Sequence, residues 1–138
     1  MKSLYFLDTS YIIALEIVNE DYHQQVLQHW QTLAIYQPLL VTTTYIFDEI
    51  VTFFNNRNLH YKAVEIGNRL IESSEIQLIE IDQKLFNEGW LYFQKYKDKS
   101  YSLTDCLSFI IMEQNNIYQA LTLDHHFVQA GFQKFPLI

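Results

Sequence analysis

Short apolar runs alternate with longer amphipathic segments along this chain. Apolar runs at positions 4–7, 39–42, 76–81 and 120–123 have the length of strands, and residues near Phe135 form a weaker fifth candidate because Pro136 follows. The run at 76–81 alternates apolar and polar residues, which places it nearer the edge of a sheet. Strands separated in this way by helical segments predict a parallel sheet covered by helices.

The segments between the strands repeat apolar residues with the period of an α-helix. They cover residues 10–18, 21–36, 43–56, 59–73, 82–97 and 102–114, with a short turn of helix at 125–130. Asp82 and Ser102 open two of these segments as N-cap residues. Segment 102–114 is apolar on nearly every face, which predicts a largely buried helix. Neither a linker nor a repeat interrupts the pattern, so we expect one α/β domain over residues 1–138 with a central parallel sheet of four or five strands.

The composition fits a folded domain that works inside the cell. The chain is 49% hydrophobic with only 3 Gly and 2 Pro, and its single cysteine, Cys106, excludes an internal disulfide. We find neither a signal peptide nor an apolar run of membrane-spanning length, which predicts a cytoplasmic protein with no membrane segment. Aromatic residues make up 16% of the chain, and this excess favours a partner interface in addition to the core.

Acidic residues outnumber basic ones, which at first argues against a nucleic-acid substrate. The net charge is −7 and the sequence pI is about 5.0, whereas proteins that grip phosphates usually carry a basic face. Four clustered carboxylates that bind a cation would account for four of these seven charges. The charge balance therefore does not exclude RNA as a substrate.

Four carboxylates follow the predicted strands at positions that converge on one edge of the sheet. Asp8 follows the first strand and Asp124 the fourth, while Asp105 lies in the first turn of the buried helix and Glu49 about two turns into the helix after the second strand. In open parallel sheets, ligands bind beyond the carboxyl ends of the strands. We therefore expect these four side chains to meet.

Three of these carboxylates also have local structural explanations. Asp8 suits an Asx turn or a helix cap, Asp105 forms a capping box with Ser102, and Asp124 suits the N-cap of the short final helix. These roles are compatible with a shared site.

Glu49 has less of a local explanation. On a helical wheel it borders the apolar sector beside Tyr45 and Phe53, and no Lys or Arg lies one turn away. A carboxylate turned toward the core needs a partner, because burying an uncompensated charge costs several kcal/mol. A metal ion would be such a partner.

A cluster of carboxylates is stable only around a cation, because like charges raise one another's pKa values. Oxygen ligands suit Mg²⁺ or Mn²⁺, and such ions activate water for in-line displacement at phosphorus. The neighbouring hydroxyls of Thr9, Ser10 and Ser102 are candidates for positioning water or supporting the carboxylates.

Four blocks of the sequence together resemble the PIN-domain nucleases. They are FLDTSYIIAL at residues 6–15, the segment around Glu49 at 44–52, SLTDCLSF at 102–109 and ALTLDHHF at 120–127, and the tail from Asp124 onward resembles VapC-type toxins. The resemblance implies a three-layer α/β/α fold, Mg²⁺- or Mn²⁺-dependent endoribonuclease activity and frequent homodimers. It also implies a small antitoxin protein that threads into the acidic groove. The acidic residues of the family correspond to Asp8, Glu49, Asp105 and Asp124.

Two hypotheses follow from this resemblance. The first is a metal-dependent ribonuclease, the toxin of a toxin–antitoxin pair. The alternative is a PIN-fold module that binds RNA or protein without cutting, since fold does not fix function. The chain has only two arginines; Lys95, Lys97 and Lys99 are either a phosphate-binding group or, as we favour, a solvated loop.

Two other phosphoesterase classes fit the sequence poorly. His125 and His126 suggest the Asp-His-His phosphoesterases, but the early Asp-x-Asp of that class is absent, and we interpret the two histidines as residues flanking the site. A haloacid-dehalogenase-like phosphatase would need a second Asp where Ser10 stands.

Overall fold

The computed structural model describes residues 2–138 as alternating strands and helices. The strands are β1 (Leu4–Leu7), β2 (Leu39–Thr43), β3 (Ile76–Ile79), β4 (Gln119–Leu121) and β5 (Gln133–Phe135). The helices are α1 (Thr9–Glu16), α2 (His23–Ala34), α3 (Thr44–Asn55), α4 (His60–Glu72), α5 (Gln83–Lys95), α6 (Leu103–Gln114) and α7 (His126–Gln129). Within residues 2–138, every helix is too short or too polar to cross a membrane.

The five strands form one sheet in the order β3-β2-β1-β4-β5, and every pairing is parallel. Phe6 in the central strand β1 pairs with Val41 of β2 on one side and with Ala120 of β4 on the other. The predicted three-layer α/β/α arrangement is confirmed. The edge position of β3 is also confirmed, and the weak fifth strand is present beside β4.

Two strands end earlier than the sequence predicts, because side chains take over their backbone N–H groups. The N–H of Ile81 donates to Thr44 Oγ1 at 3.0 Å, so β3 ends at Ile79. Beyond β4, the N–H of Leu123 donates to Ser10 Oγ and that of Asp124 to Thr122 Oγ1, each at 2.9 Å. The chain therefore leaves the sheet two residues sooner than expected and bends toward α1.

Helix α6 is the buried helix that the sequence predicts. Every residue from Asp105 to Met112 is buried, and Phe109 packs edge-on against Phe127 of α7 with 5.0 Å between ring centroids. Helix α5 crosses α6 closely at Gly89, where a Cβ atom would lie only 2.4 Å from Leu107 Cδ2. The absence of a side chain at Gly89 therefore lets α5 pack closely against α6, the helix that carries Asp105 in its first turn.

Candidate metal centre

The four predicted carboxylates lie in one groove at the carboxyl edge of the sheet. Asp8 and Asp124 reach it from the ends of β1 and β4, Asp105 from the first turn of α6, and Glu49 from α3. The other lining residues are Thr9, Ser10, Ile13, Phe53, Ser100, Ser102 and His126. The sequence-predicted set is thus brought together without exception.

Asp8 is the most buried member of the group, with 6% of its surface exposed. It occupies the N-cap position of α1, yet its side chain makes no capping hydrogen bond there. Its Oδ2 instead accepts from Thr122 Oγ1 at 2.6 Å and from Ser10 Oγ at 2.9 Å. Burial raises the pKa of Asp8 to about 6; these two hydrogen bonds lower it, and repulsion from Asp105 and Asp124 adds to the rise.

Asp105 forms the capping box that the sequence predicts, and its side chain also lines the groove. Its backbone N–H donates to Ser102 Oγ at 2.9 Å, and its Oδ2 accepts from the N–H of Ser102 at 3.0 Å, which completes a capping box. The same Oδ2 lies 3.0 Å from Nδ1 of His126. Burial raises the pKa of Asp105; the Ser102 N–H lowers it, the charge of Asp124 raises it and His126 lowers it.

Asp124 lies three residues beyond the end of β4, not directly after it, because the strand stops at Leu121. It is not the N-cap of α7, a position held by His125. Its Oδ1 accepts from the backbone N–H of His126 at 2.9 Å and lies 3.3 Å from the ring Nδ1 of the same residue. Asp124 is thus anchored at the entry to α7 with its carboxylate in the groove.

The prediction that Glu49 turns toward the core is wrong. The residue is exposed on α3 at the rim of the groove. Its carboxylate end is held by Thr9, whose Oγ1 donates to Oε1 at 2.5 Å. Loss of hydration at this end still raises the pKa of Glu49, with repulsion from Asp105 as a smaller contribution. Thr9, not the core, therefore directs Glu49 into the site.

Two residues that contact the predicted carboxylates were missed or undervalued from the sequence. Thr122 is fully buried and bonds Asp8 through its hydroxyl while accepting the N–H of Asp124, so it links two of the carboxylates. His126 faces the groove, and its ligating atoms lie within 4.8 Å of those of Asp105 and Asp124. Its neighbour His125 is exposed. Only the turn geometry after β4 distinguishes the two histidines, and no sequence pattern reveals it.

The arrangement of oxygens in the groove fits a divalent cation. Asp8, Asp105 and Asp124 each commit one oxygen to protein donors, and within residues 2–138 their second oxygen has no hydrogen-bond partner. None of the four carboxylates forms an ion pair with a Lys or Arg in the described part of the chain. Negative oxygen ligands without a basic partner are the donor set that Mg²⁺ or Mn²⁺ takes.

Comparisons with known proteins agree with this geometry. Residues 5–133 match the family model described as PIN domain. The 23S rRNA-specific endonuclease VapC20 of Mycobacterium tuberculosis strain H37Rv is 27% identical over 127 residues, which are 92% of this chain and 94% of that protein. The crystal structure of VapC20, described as a toxin that cleaves the sarcin–ricin loop, superposes with a TM-score of 0.83 at 26% identity and covers 94% of this chain and 96% of its own.

A more distant structure shows the same fold. The FitAcB structure from Neisseria gonorrhoeae has a TM-score of 0.65 at 15% identity, and the match covers 96% of each chain. At this identity the likeness concerns the fold alone.

Proposed function

Since this chain belongs to the PIN-domain family, we propose that it is a metal-dependent endoribonuclease that hydrolyses RNA phosphodiester bonds as the toxin of a toxin–antitoxin pair. The observation that carries the proposal is the convergence of Asp8, Glu49, Asp105 and Asp124 in one groove, each held by a neighbouring donor. A full-length relative named as a 23S rRNA endonuclease supports the choice of RNA as substrate.

The roles of the residues follow from their positions. Asp8, Asp105 and Asp124 would hold Mg²⁺ or Mn²⁺ through the oxygens that protein donors leave free. The chemistry that a cation held by these carboxylates would supply is charge stabilisation for the phosphate oxygens and a lower pKa for water at the scissile bond. Glu49, at the rim of the groove, would be the fourth carboxylate of this cation site and, when ionised, would accept a proton from the attacking water. Thr122 and Ser10 keep the Asp8 carboxylate oriented.

A basic residue beside the groove supports an RNA substrate. The Arg57 guanidinium stacks 3.5 Å from the ring centroid of Phe53, and Phe53 lines the groove. In this position Arg57 can contact the phosphate backbone of bound RNA. Lys97 and Lys99 are exposed, and Lys99 approaches only Asp98, at 3.9 Å, which supports the interpretation of that segment as a solvated loop.

The acidic groove also supports a protein partner. A groove lined by four carboxylates attracts a basic segment, and a small antitoxin that inserts such a segment would block the site. Cleavage and inhibition would then depend on the same charges.

Incubation of the purified protein with total RNA tests the ribonuclease proposal. We expect cleavage in the presence of about 1 mM Mn²⁺ or Mg²⁺. Chelation of the cation with EDTA should abolish it. Expression should arrest growth, and co-expression of a cognate antitoxin should restore growth. RNA binding that needs no cation, without cleavage, would contradict the proposal and favour the non-catalytic alternative.

We also propose that the protein forms a homodimer through the outer face of α5. Phe86, Trp90 and Phe93 lie on one stripe of this helix and are 36%, 48% and 39% exposed. The rings of Trp90 and Phe93 stack with centroids 5.5 Å apart, so the stripe is ordered without a covering element. Exposed aromatic patches of this kind are typical of protein interfaces.

Replacing Trp90 with Lys is expected to convert the dimer to a monomer, because a charge would be buried at the contact. Light scattering of the purified variant measures the mass. Tyr61→Lys is a matched control, since Tyr61 is an aromatic residue that is 69% exposed on a different helix, α4. A monomeric wild-type protein, or a dimer that both variants leave intact, would contradict this interface.

A further inference from the structure

We propose that His126 is a positioning residue that holds Asp105 and Asp124 in the mutual orientation required for cation binding, an inference that rests on the proposed function. The ring does not need to contact the cation or the RNA for this role. It acts through the two carboxylates that it bridges.

The hydrogen-bond geometry requires a donor at Nδ1. This atom forms a hydrogen bond with Asp105 Oδ2 at 3.0 Å and lies 3.3 Å from Asp124 Oδ1 in a polar contact, and both oxygens belong to carboxylates. A carboxylate oxygen only accepts, so Nδ1 must carry the hydrogen in either charge state of the ring. One N–H group thus donates to the carboxylate on α6 and lies in close polar contact with the carboxylate in the loop after β4.

The bridge leaves the remaining oxygens of both carboxylates available. Asp105 Oδ2 receives the ring N–H together with the N–H of Ser102, and Asp124 Oδ1 receives the backbone N–H of His126. The second oxygen of each carboxylate has no hydrogen-bond partner within residues 2–138. Because the two carboxylates repel each other, they would separate without a donor between them.

The ring itself is held in place by packing. Tyr101 contacts the His126 ring edge-on, with centroids 5.4 Å apart and an angle of 77°. Tyr101 is only 7% exposed and packs in turn against Phe109 of α6, with centroids 5.0 Å apart. Packing against Tyr101 therefore holds the His126 ring in one orientation, and Tyr101 is itself held by the core. Groups that support ligating residues in this way typically change metal affinity by about 10- to 100-fold when removed.

Two substitutions of His126 test this role. His126→Asn keeps an N–H donor attached to Cγ, as in Nδ1, whereas His126→Leu keeps the branched shape and removes the donor. His125→Leu is the matched control, because His125 is the exposed neighbour in the sequence. Calorimetric titration with Mn²⁺ gives the affinity of each variant, and melting of the metal-free proteins reports their folding.

We expect His126→Leu to bind Mn²⁺ about tenfold or more weakly, with His126→Asn and His125→Leu within about threefold of the wild-type protein. Higher Mn²⁺ concentration should restore much of the RNA cleavage by His126→Leu, because the defect lies in cation binding. Unchanged Mn²⁺ affinity in His126→Leu would overturn the proposal, whether or not its melting temperature falls. Equal losses in the Asn and Leu variants would also overturn it, since a ring nitrogen that ligates the cation directly cannot be replaced by an N–H donor.

Failure of the proposed function gives a different result. If the wild-type protein binds no Mn²⁺ and cuts no RNA, both proposals are overturned together. If the wild-type protein binds and cuts while His126→Leu behaves identically, only the positioning role is overturned.

Discussion

Replacing Asp8 with Asn is expected to lower RNA cleavage about a thousandfold or more while raising the stability of the metal-free protein at pH 7.5. The loss of activity reflects removal of a negative ligand, since a catalytic cation contributes several kcal/mol to the rate. The gain in stability reflects the burial of Asp8, whose pKa is raised to about 6. An amide at this position can still accept from Thr122 and Ser10 without carrying a buried charge. RNA cleavage assays and thermal melting in EDTA measure the two effects, and growth arrest on expression should disappear.

Asp48→Asn is the matched control for this substitution. Asp48 is exposed on α3, and its Oδ1 accepts only from Thr52 Oγ1, at 3.2 Å. Asp48→Asn removes the same charge from the chain and leaves the groove residues unchanged, so RNA cleavage should stay near the wild-type rate. Toxicity or cleavage that survives in Asp8→Asn would refute the metal-dependent mechanism.

The metal-free protein is expected to be more stable at pH 5 than at pH 8, and Mn²⁺ should reverse this order. A carboxyl group whose folded pKa exceeds its unfolded pKa stabilises the fold fully below the unfolded value. That contribution is lost as pH rises through the folded value. For Asp8 the window runs from the ordinary value of 3.8 to about 6, so a comparison that starts at pH 5 covers about one pH unit of it, or about 1.4 kcal/mol. Asp105 and Glu49 shift in the same direction.

Mn²⁺ opposes this loss because it binds the ionised carboxylates. At about 100 times its dissociation constant, a ligand of the folded state adds about 2.7 kcal/mol, and this gain should be larger at pH 8 than at pH 5. Thermal melts at both pH values, with EDTA or with Mn²⁺, measure the effect. Comparison with Asp8→Asn isolates the contribution of this one carboxyl group, since the variant should lose less stability between the two pH values. A difference between wild type and variant that does not change with pH would show that Asp8 does not titrate in this window.

Much of the fold could be predicted because its signals are local. The apolar runs of a buried parallel sheet and the helical periods between them appear directly in the sequence, and the N-caps Asp82 and Ser102 mark two helix starts. The family assignment and the ribonuclease class made from the sequence blocks agree with the comparisons. Asp8 and Asp105 could be placed because each lies within a residue or two of a recognisable boundary.

The parts that could not be predicted depend on contacts between distant segments. Thr122 reaches Asp8 across 114 positions of sequence, and Thr9 reaches Glu49 across 40. A helical wheel assigns Glu49 to the core side, but it cannot include the Thr9 hydroxyl that draws the carboxylate to the groove. The position of His126 rather than His125 in the groove depends on the bend after β4, where the hydroxyls of Ser10 and Thr122 accept hydrogen bonds from backbone N–H groups.

In each of three carboxylates one oxygen accepts hydrogen bonds from the protein, and this affects which cation the proposed site would bind. Because those donors already order Asp8, Asp105 and Asp124, little rearrangement accompanies ion entry. The three carboxylates offer only oxygen ligands, so they would discriminate weakly between Mg²⁺ and Mn²⁺. On the proposed function, the relative availability of Mg²⁺ and Mn²⁺ would then decide which ion occupies the site. A shift in the supply of Mg²⁺ or Mn²⁺ would therefore change the output of this protein without any change in its amount.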